Sequence, residues 1–156
     1  MKQIAHWALN IANQRGASYA DARIVDARSR ALATKNGKLG QASDSESLGL
    51  GIRVIADGAW GFSASDNLSR KAVEETAARA LEIAKASARL KQDAVRLAPE
   101  KPVTAEWTTP CQIDPFGISI EQNLELLFAI DKELCAVAGV TLASGEQLQA
   151  DTLLLA

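Results

Sequence analysis

The residues from Ser47 to Ser65, SLGLGIRVIADGAWGFSAS, constrain the fold more than any other part of the sequence. Between Leu48 and Val54 every second residue is a large apolar one, which is the period of a strand with one buried face. Asp57-Gly58 then supplies the two residues that a tight hairpin turn needs at positive φ. On the return strand Trp60 and Phe62 share one face. The stretch therefore predicts a β-hairpin.

Three glycines, Gly49, Gly51 and Gly61, lie inside the arms of this hairpin. Glycine weakens a strand interior unless another backbone or a ligand comes close to it. The hairpin is therefore either a tightly packed sheet centre or a surface that a ligand approaches. Arg53, on the face opposite the main apolar residues, either pairs with a nearby acid or contacts a substrate or a further domain. Arg53, Trp60 and Phe62 are the candidate residues for such a contact.

Length and charge limit the class of protein. A chain of 156 residues with 47% hydrophobic residues fits one globular domain. The formal net charge of -2 gives no basic excess for nucleic acid. No run of 18 apolar residues exists to span a membrane, and the first residues lack the apolar core of a secretion signal. We expect a cytoplasmic protein that binds neither nucleic acid nor membrane directly.

The first part of the chain alternates helix and strand patterns. Apolar residues at helical spacing predict a helix that starts near Ile4 and ends at Gly16. Residues 19–35 have the pattern of two strands, and Asn36-Gly37 is a strong hairpin signal. The polar residues 43–46 favour a solvated turn. After the hairpin, Ser69 is a credible N-cap for an Ala-rich helix.

The last part begins with a Pro-rich segment, residues 91–118, that is predicted to run extended over the surface, pinned by Trp107 and Phe116. A capping box starting at Ser119 opens the next helix. Its predicted buried stripe comprises Ile120, Leu124, Leu127, Phe128, Leu134 and Cys135, with the thiol expected to be buried and inert.

Leu126 and Ile130 widen this stripe, which indicates either deep burial or contact with a partner or a further domain. Residues 140–156 are predicted to form a hairpin that turns at Ser144-Gly145. The apolar ending, residues 153–156, suggests that a second domain follows or that the chain is cut at a domain boundary.

Motifs for catalysis or metal binding do not occur. H-E-x-x-H, G-x-S-x-G and a P-loop are absent. The single histidine, His6, falls on the polar face of the first helix, and Cys111 and Cys135 are far apart. The residues alone predict an α+β fold, with a twisted, mainly antiparallel sheet of about six strands and helices packed largely on one face. They indicate no catalytic or metal-binding residue.

The order of these segments resembles a known domain. ASYADARIV, then KNGKLGQASDSESLGLGIRVIADGAWGFSASDNLS, then the Ala-rich helix and TTPCQIDPFGISIEQNLELLFAID are similar to the N-terminal domain of the TldD/PmbA family, also called modulators of DNA gyrase. The core of the resemblance is G-x-R-V-x-x-D-G-x-x-G-F, from Gly51 to Phe62. The resemblance covers nearly the whole chain.

The resemblance implies that residues 1–156 are a single domain. It would comprise a helix, strands, hairpin and Ala-rich helix (1–90), a Pro-rich wrapping segment (91–118), and a helix and hairpin (119–156). The family's larger C-terminal domain is absent from this sequence. In the catalytic branch of the family, that domain binds zinc and hydrolyses peptides. No segment here matches its metal motif, so we expect no cofactor in this chain and no activity of the chain alone.

The role that the resemblance implies is that of a non-catalytic N-terminal domain of a metallopeptidase subunit. It would frame a chamber that admits unfolded peptide, and would contribute to homodimer or heterodimer contacts with a related subunit. Two alternatives are a stand-alone interaction or adaptor module, and part of a partner subunit that lacks the metal site. The sequence specifies neither the peptide nor the branch.

Overall fold

The computed structural model of the chain describes residues 1–99, 101–137 and, as backbone, 144–155. It belongs to the α+β class, as predicted, with three α-helices and an antiparallel sheet. The elements in chain order are α1 (Lys2–Gln14), β1 (Tyr19–Lys35), β2 (Lys38–Ala56), β3 (Ala59–Ser65), α2 (Arg70–Ala88), a 3₁₀ turn (Pro115–Gly117), α3 (Ile120–Cys135) and β4 (Ser144–Leu155).

The residues group into two compact units. The first unit contains Met1–Asp26, Ser47–Thr108 and Leu153–Ala156, and the second contains Ala27–Glu46 and Thr109–Thr152. Because β1 and β2 are long, each unit contains one end of both strands. The first unit therefore includes the α1 and α2 helices with β3, and the second includes α3.

The sheet has fewer strands than predicted. The sheet of the first unit has three strands, which are β3 and the first-unit parts of β1 and β2. With β4, the strand order is β3-β2-β1-β4. The prediction of about six strands is wrong because β1 is one continuous strand of 17 residues, where two were expected. Residues 43–46, expected to be a turn, lie inside the 19-residue β2. The backbone of β2 remains paired there, but its exposed residues have no apolar alternation that would predict a strand.

The last predicted hairpin is only partly described. β4 begins at Ser144, so the turn predicted at Ser144-Gly145 is wrong. Val140–Ala143, the first arm of that predicted hairpin, lies outside the described residues. The earlier turns are confirmed: φ is +50° at Asn36 and +70° at Gly37, and +52° at Asp57 and +73° at Gly58.

The core of the first unit lies between the two helices and one face of the sheet. Ala8 and Ile11 of α1 and a small-residue stripe of α2 pack with the inward residues of β1 and β2. The stripe comprises Val73, Ala77, Ala80, Leu81 and Ala84. Ser69 caps α2 by accepting the N–H of Ala72, as its sequence predicted.

Gly61 explains how closely α2 approaches the sheet. A Cβ built on Gly61 would lie 1.9 Å from the carbonyl oxygen of Ala80 and 2.6 Å from the nitrogen of Ala84. Contacts of that length are impossible for real atoms, so only glycine fits. At this position the hairpin is a tightly packed sheet centre, which is one of the two roles considered for its glycines.

The buried face of α3 differs from the predicted stripe. Its buried residues are Asn123, Leu127 and Asp131, whereas Leu134 and Cys135 are exposed. The difference arises because the Asp131 carboxylate accepts the backbone N–H of Gly37 at 3.0 Å. A polar turn needs a polar partner, which the helix supplies. The capping box of Ser119 with Gln122 is confirmed.

The segment between α2 and the 3₁₀ turn has no helix or strand among its described residues, as its prolines predicted. Trp107, predicted to pin this segment to the core, is 47% exposed. An ion pair of 3.1 Å between Lys2 and Glu106 attaches the segment to α1 instead. None of the described helices is long and apolar enough to cross a membrane.

Candidate functional site

The three candidate residues lie together on the outer face of the first-unit sheet, away from α1 and α2. Arg53 of β2 is opposite Phe62 of β3, and Ile55 is opposite Trp60. Directly opposed residues of an antiparallel pair point to the same side of the sheet. The alternation in the sequence predicted that Trp60 and Phe62 share a face, and the register adds Arg53 to it. We call Arg53, Trp60 and Phe62, with Tyr19 and Asp21, the outer surface.

Arg53 is held in place by a carboxylate and an aromatic ring. Its Nε and Nη2 atoms each lie 2.7 Å from Oδ2 of Asp21. Its guanidinium carbon lies 4.9 Å from the centroid of the Trp60 ring. The hydrogen bond to Asp21 raises the pKa of Arg53 above its ordinary value. Pairing with a nearby acid, one of the two explanations considered for Arg53, therefore accounts for its position.

Trp60 is fixed from the other side as well. The rings of Tyr19 and Trp60 meet edge to face, with centroids 5.8 Å apart and planes at 90°. This arrangement is a favourable one for two aromatic rings. Because Arg53 and Tyr19 both restrain it, Trp60 presents a rigid apolar surface, which loses little conformational entropy when a ligand binds.

Phe62 is the exposed member of the outer surface, with 58% of its area accessible. Its ring lies beside Gly51, where an added Cβ would be 3.2 Å and 3.4 Å from two ring carbons. The two glycines thus leave space on opposite faces of the sheet. The absence of a side chain lets the α2 backbone pack against Gly61 and lets the Phe62 ring pack against Gly51. The second role considered for the glycines, a surface open to a ligand, remains available on this outer face.

Sequence reasoning did not identify Tyr19 and Asp21 as members of the outer surface. The sequence does contain a signal for them, because the apolar residues Ala20, Ala22 and Ile24 alternate with polar residues along β1. That alternation places Tyr19 and Asp21 on the side of β1 away from the core. Their contact with Trp60 and Arg53 depends on the pairing of β1 with β2, which the local pattern does not specify.

The potential metal-ligating side chains among the described residues are dispersed. In residues 1–99 and 101–137 no three His, Cys, Asp or Glu side chains gather closely enough to hold a metal ion. His6 is exposed, and its Nδ1 atom lies 2.8 Å from the carbonyl oxygen of Lys2 within α1. Cys111 and Cys135 are both exposed free thiols. The outer surface can bind a ligand by stacking and apolar contact.

A second cluster of charged and aromatic groups lies in the second unit. Arg30 is buried and forms a two-pronged pair with Asp44, at 2.8 Å and 3.1 Å, while its Nη1 donates to the carbonyl of Ile118 at 2.9 Å. The guanidinium carbons of Arg28 and Arg30 lie 4.5 Å and 5.6 Å from the Phe116 centroid. The Arg30 hydrogen bond lowers the pKa of Asp44. We call Arg28, Arg30, Asp44 and Phe116 the arginine clasp.

The arginine clasp is structural in character. Arg30 donates three hydrogen bonds within its own unit, two to Asp44 and one to the Ile118 carbonyl, so its guanidinium is already engaged. Phe116, predicted to pin the Pro-rich segment, does contact the strands through Arg28 and Arg30. The clasp thus connects the 3₁₀ turn and the start of α3 to β1 and β2.

Comparisons with known proteins agree with this architecture. Residues 20–84 match the family model described as PmbA/TldA metallopeptidase domain 1. A metalloprotease of Methanocaldococcus jannaschii is 27% identical over 116 residues, which are 74% of this chain and 26% of that protein.

Two solved structures share the fold. A putative modulator of DNA gyrase from Bacteroides thetaiotaomicron superposes with a TM-score of 0.69 at 16% identity, and TldE from Thermococcus kodakarensis with a TM-score of 0.58 at 12% identity. Each superposition covers 99% of this chain and 36% of the other. The chain thus spans about a third of the solved relatives and about a quarter of the metalloprotease.

Proposed function

We infer the role of this chain from the family to which it belongs, the TldD/PmbA family, whose N-terminal domain it forms. We propose that it is the non-catalytic N-terminal domain of a TldD/PmbA-type metallopeptidase subunit. In that role it frames the chamber through which an unfolded peptide reaches the catalytic domain, and it takes part in subunit contacts. The catalytic zinc would be held by a C-terminal domain that this sequence does not include.

The observation that carries this proposal is the outer surface. Rigid aromatic and cationic groups are presented there. Phe62 stays exposed although burial of a large apolar side chain is favourable by about 1.5–3 kcal/mol. Such a surface suits the reversible contact of a passing peptide or of a further domain. Arg53, Trp60 and Phe62 are the residues that we assign to this contact.

Subunit contact is supported by the outward side of α3. Leu126, Ile130 and Leu134 are exposed at helical spacing, so they form one apolar stripe, and Val137 is exposed just beyond the end of the helix. In our proposal this stripe contributes to a homodimer or heterodimer with a related subunit in the cytoplasm. The same stripe would also serve the alternative role, that of a stand-alone adaptor module. The coding sequence beyond residue 156 distinguishes the two, since a histidine–glutamate metal motif downstream belongs only to the peptidase.

Two assays on the 156-residue chain test the proposal. With zinc added, the chain should cleave no peptide, whereas zinc-dependent cleavage would overturn the assignment of roles. In an NMR titration with an extended, unlabelled peptide, amide signals of residues 51–62 should shift while signals of α1 stay in place. A titration in which no amide signal moves would remove the peptide contact from the proposal.

A further inference from the structure

We propose that the free edge of β3 binds an extended apolar peptide segment as an added antiparallel or parallel strand. This inference rests on the proposed function, because it specifies how the peptide would contact the domain. β3 is the last strand in the order β3-β2-β1-β4, so only one of its edges is paired. The binding edge consists of the outward backbone groups of Trp60, Phe62 and Ala64.

The register of the hairpin identifies those outward groups. Asp57-Gly58 is a two-residue turn, so the flanking pair Ala56–Ala59 exchanges both hydrogen bonds. Hydrogen-bonded and non-hydrogen-bonded pairs then alternate along an antiparallel ladder. The N–H and C=O groups of Gly61 and Ser63 consequently face β2. Those of Trp60, Phe62 and Ala64 face away, and no backbone hydrogen bond from another described segment reaches them.

Along Ala59–Ser65, β3 also lacks the charges, prolines and bulges that block strand edges in other proteins. The segment after α2 meets the hairpin at its turn, where the Val95 N–H donates to the Gly58 carbonyl at 2.9 Å. Edge strands are protected by lysine or other charges, by proline, or by a bulge that twists the edge away. The strand AWGFSAS contains no charged residue and no proline. Its pairing with β2 continues without a bulge from Ala56↔Ala59 to Leu50↔Ser65. An unprotected edge of this length is a template for main-chain hydrogen bonds.

Apolar side chains lie near this edge on both faces of the sheet. Phe62 is 58% exposed on the outer face. On the inner face α2 lies directly against Gly61, and its Arg70 contacts Trp7 of α1. Ile83, 13 residues after Arg70, lies about 140° around the helix from it, on the side away from α1. Ile83 is 39% exposed.

An added strand would therefore place alternate side chains against Phe62 and against Ile83. Both contacts favour apolar residues, because removing the exposed apolar area of Phe62 and Ile83 from water is favourable. The ligand class is an extended, uncharged peptide segment of about five residues, matched to the span of three outward residues on β3. Main-chain hydrogen bonds supply most of the affinity, so the sequence requirement is loose.

The test uses a fluorescently labelled Thr-Val-Leu-Val-Thr peptide and anisotropy titration of the 156-residue chain. Two further peptides carry N-methyl groups at alternate amides, in complementary patterns. N-methylation removes the donor on one edge of an extended strand and leaves the other edge unchanged. Strand addition predicts that at least one pattern weakens binding by tenfold or more. Equal binding of all three peptides would overturn strand addition and leave a side-chain contact in place.

Protein variants locate the edge. Ala64→Pro removes an outward N–H and leaves the inward ladder bonds to β2, so the chain should fold and bind the peptide at least tenfold more weakly. Phe62→Ala should weaken binding several-fold. Leu39→Ala is its control, because Leu39 is also an exposed apolar residue, at 49%, but lies in the second-unit part of β2. Weakening by Leu39→Ala equal to that by Phe62→Ala would contradict the assignment. The circular dichroism spectrum verifies the fold of each variant.

Two further outcomes are informative. If the unmodified peptide does not bind at all, both strand addition and the peptide contact of the proposed function fail, while the zinc assay still judges the non-catalytic role. Sedimentation analysis detects a second copy of the chain on the same edge. A dimer of the wild-type chain that Ala64→Pro dissociates would identify that copy as the occupant and overturn the peptide assignment.

Discussion

The two ends of β2 are held by different forces. In the first unit this strand buries Leu50, Ile52 and Val54 in the core with α1 and α2. In the second unit every residue from Lys38 to Glu46 is exposed. There the strand is joined to β1 by the arginine clasp, by an Arg28–Glu46 ion pair of 3.0 Å and by a Ser29–Ser45 hydrogen bond of 2.6 Å. One strand can thus depend on apolar packing at one end and on polar pairing at the other.

The difference has consequences for stability and for function. Apolar packing does not depend on the charge state of side chains and is not screened by salt, whereas exposed ion pairs weaken as salt screens them. The first unit can leave the β3 edge open because α2 supports that strand from one face. The second unit uses its charged side chains to hold α3 and the 3₁₀ turn. We therefore assign the binding surface to the first unit and a structural role to the arginine clasp.

The largest expected effect comes from Gly61→Ala in the first unit. The new methyl group would collide with the backbone of α2 at Ala80 and Ala84, which cannot move independently of the core. We expect a loss of about 3 kcal/mol or more in the free energy of unfolding, measured by urea denaturation. A loss below about 1 kcal/mol would show that α2 does not rest on β3 as described.

A smaller effect is expected from Arg30→Ala in the second unit. The substitution removes the donor of the Ile118 carbonyl, at a cost of about 1 kcal/mol, and leaves the half-exposed Asp44 carboxylate to water. Amide exchange should speed up near α3 while the first-unit part of β2 stays protected. Arg23→Ala is the control, since Arg23 is exposed and 3.9 Å from its acid. Equal loosening of both units would contradict a local role for the clasp.

Acid should weaken the second unit before the first. The pKa of Asp44 is lowered by its hydrogen bond from Arg30, and that of Glu121 by hydrogen bonds at the start of α3. A lowered folded-state pKa stabilises the protein fully above the unfolded value, about 4, and the stabilisation is lost as pH falls through the folded value. The contribution of these two groups to the free energy of unfolding should thus be constant from pH 7 to about pH 5, and should decrease as the pH is lowered below about 4. Asp44→Asn should reduce this acid dependence, and an unchanged acid midpoint in that variant would refute the assignment.

The smallest effect is expected from Gly51→Ala, the matched partner of the Gly61 variant. The added methyl group meets only the edge of the exposed Phe62 ring, at 3.2 Å, and that ring can turn aside. The change in unfolding free energy should stay within about 1 kcal/mol, since surface substitutions rarely do more. A loss similar to that of Gly61→Ala would mean that Phe62 is more tightly fixed than its exposure indicates.

The parts of the fold that the sequence predicted are those with local causes. Asn36-Gly37, Asp57-Gly58 and the capping box at Ser119 each act within a few residues, and all three are confirmed. The alternation from Leu48 onward predicted the helix-supported end of β2. It could not reveal the exposed end, because a solvated ribbon needs no apolar residues and residues 43–46 look like a turn.

The missed features depend on partners that are distant in the sequence. Asp131 is buried because it binds Gly37, 94 positions away, so the periodicity of α3 alone misidentified its buried face. The same holds for the site. Alternation placed Trp60 and Phe62 on one face, but the pairing of Arg53 with Asp21 depends on how β1 lies against β2.

The most direct test of the division of roles is residue-resolved amide exchange of the 156-residue chain with and without the Thr-Val-Leu-Val-Thr peptide. We expect the peptide to slow exchange at Trp60, Phe62 and Ala64, and to change it little at Gly61 and Ser63, whose N–H groups already bind β2. Exchange at residues 27–46 of the second unit should be unaffected. Added protection centred on residues 27–46, or equal protection along β3 without alternation, would contradict the account.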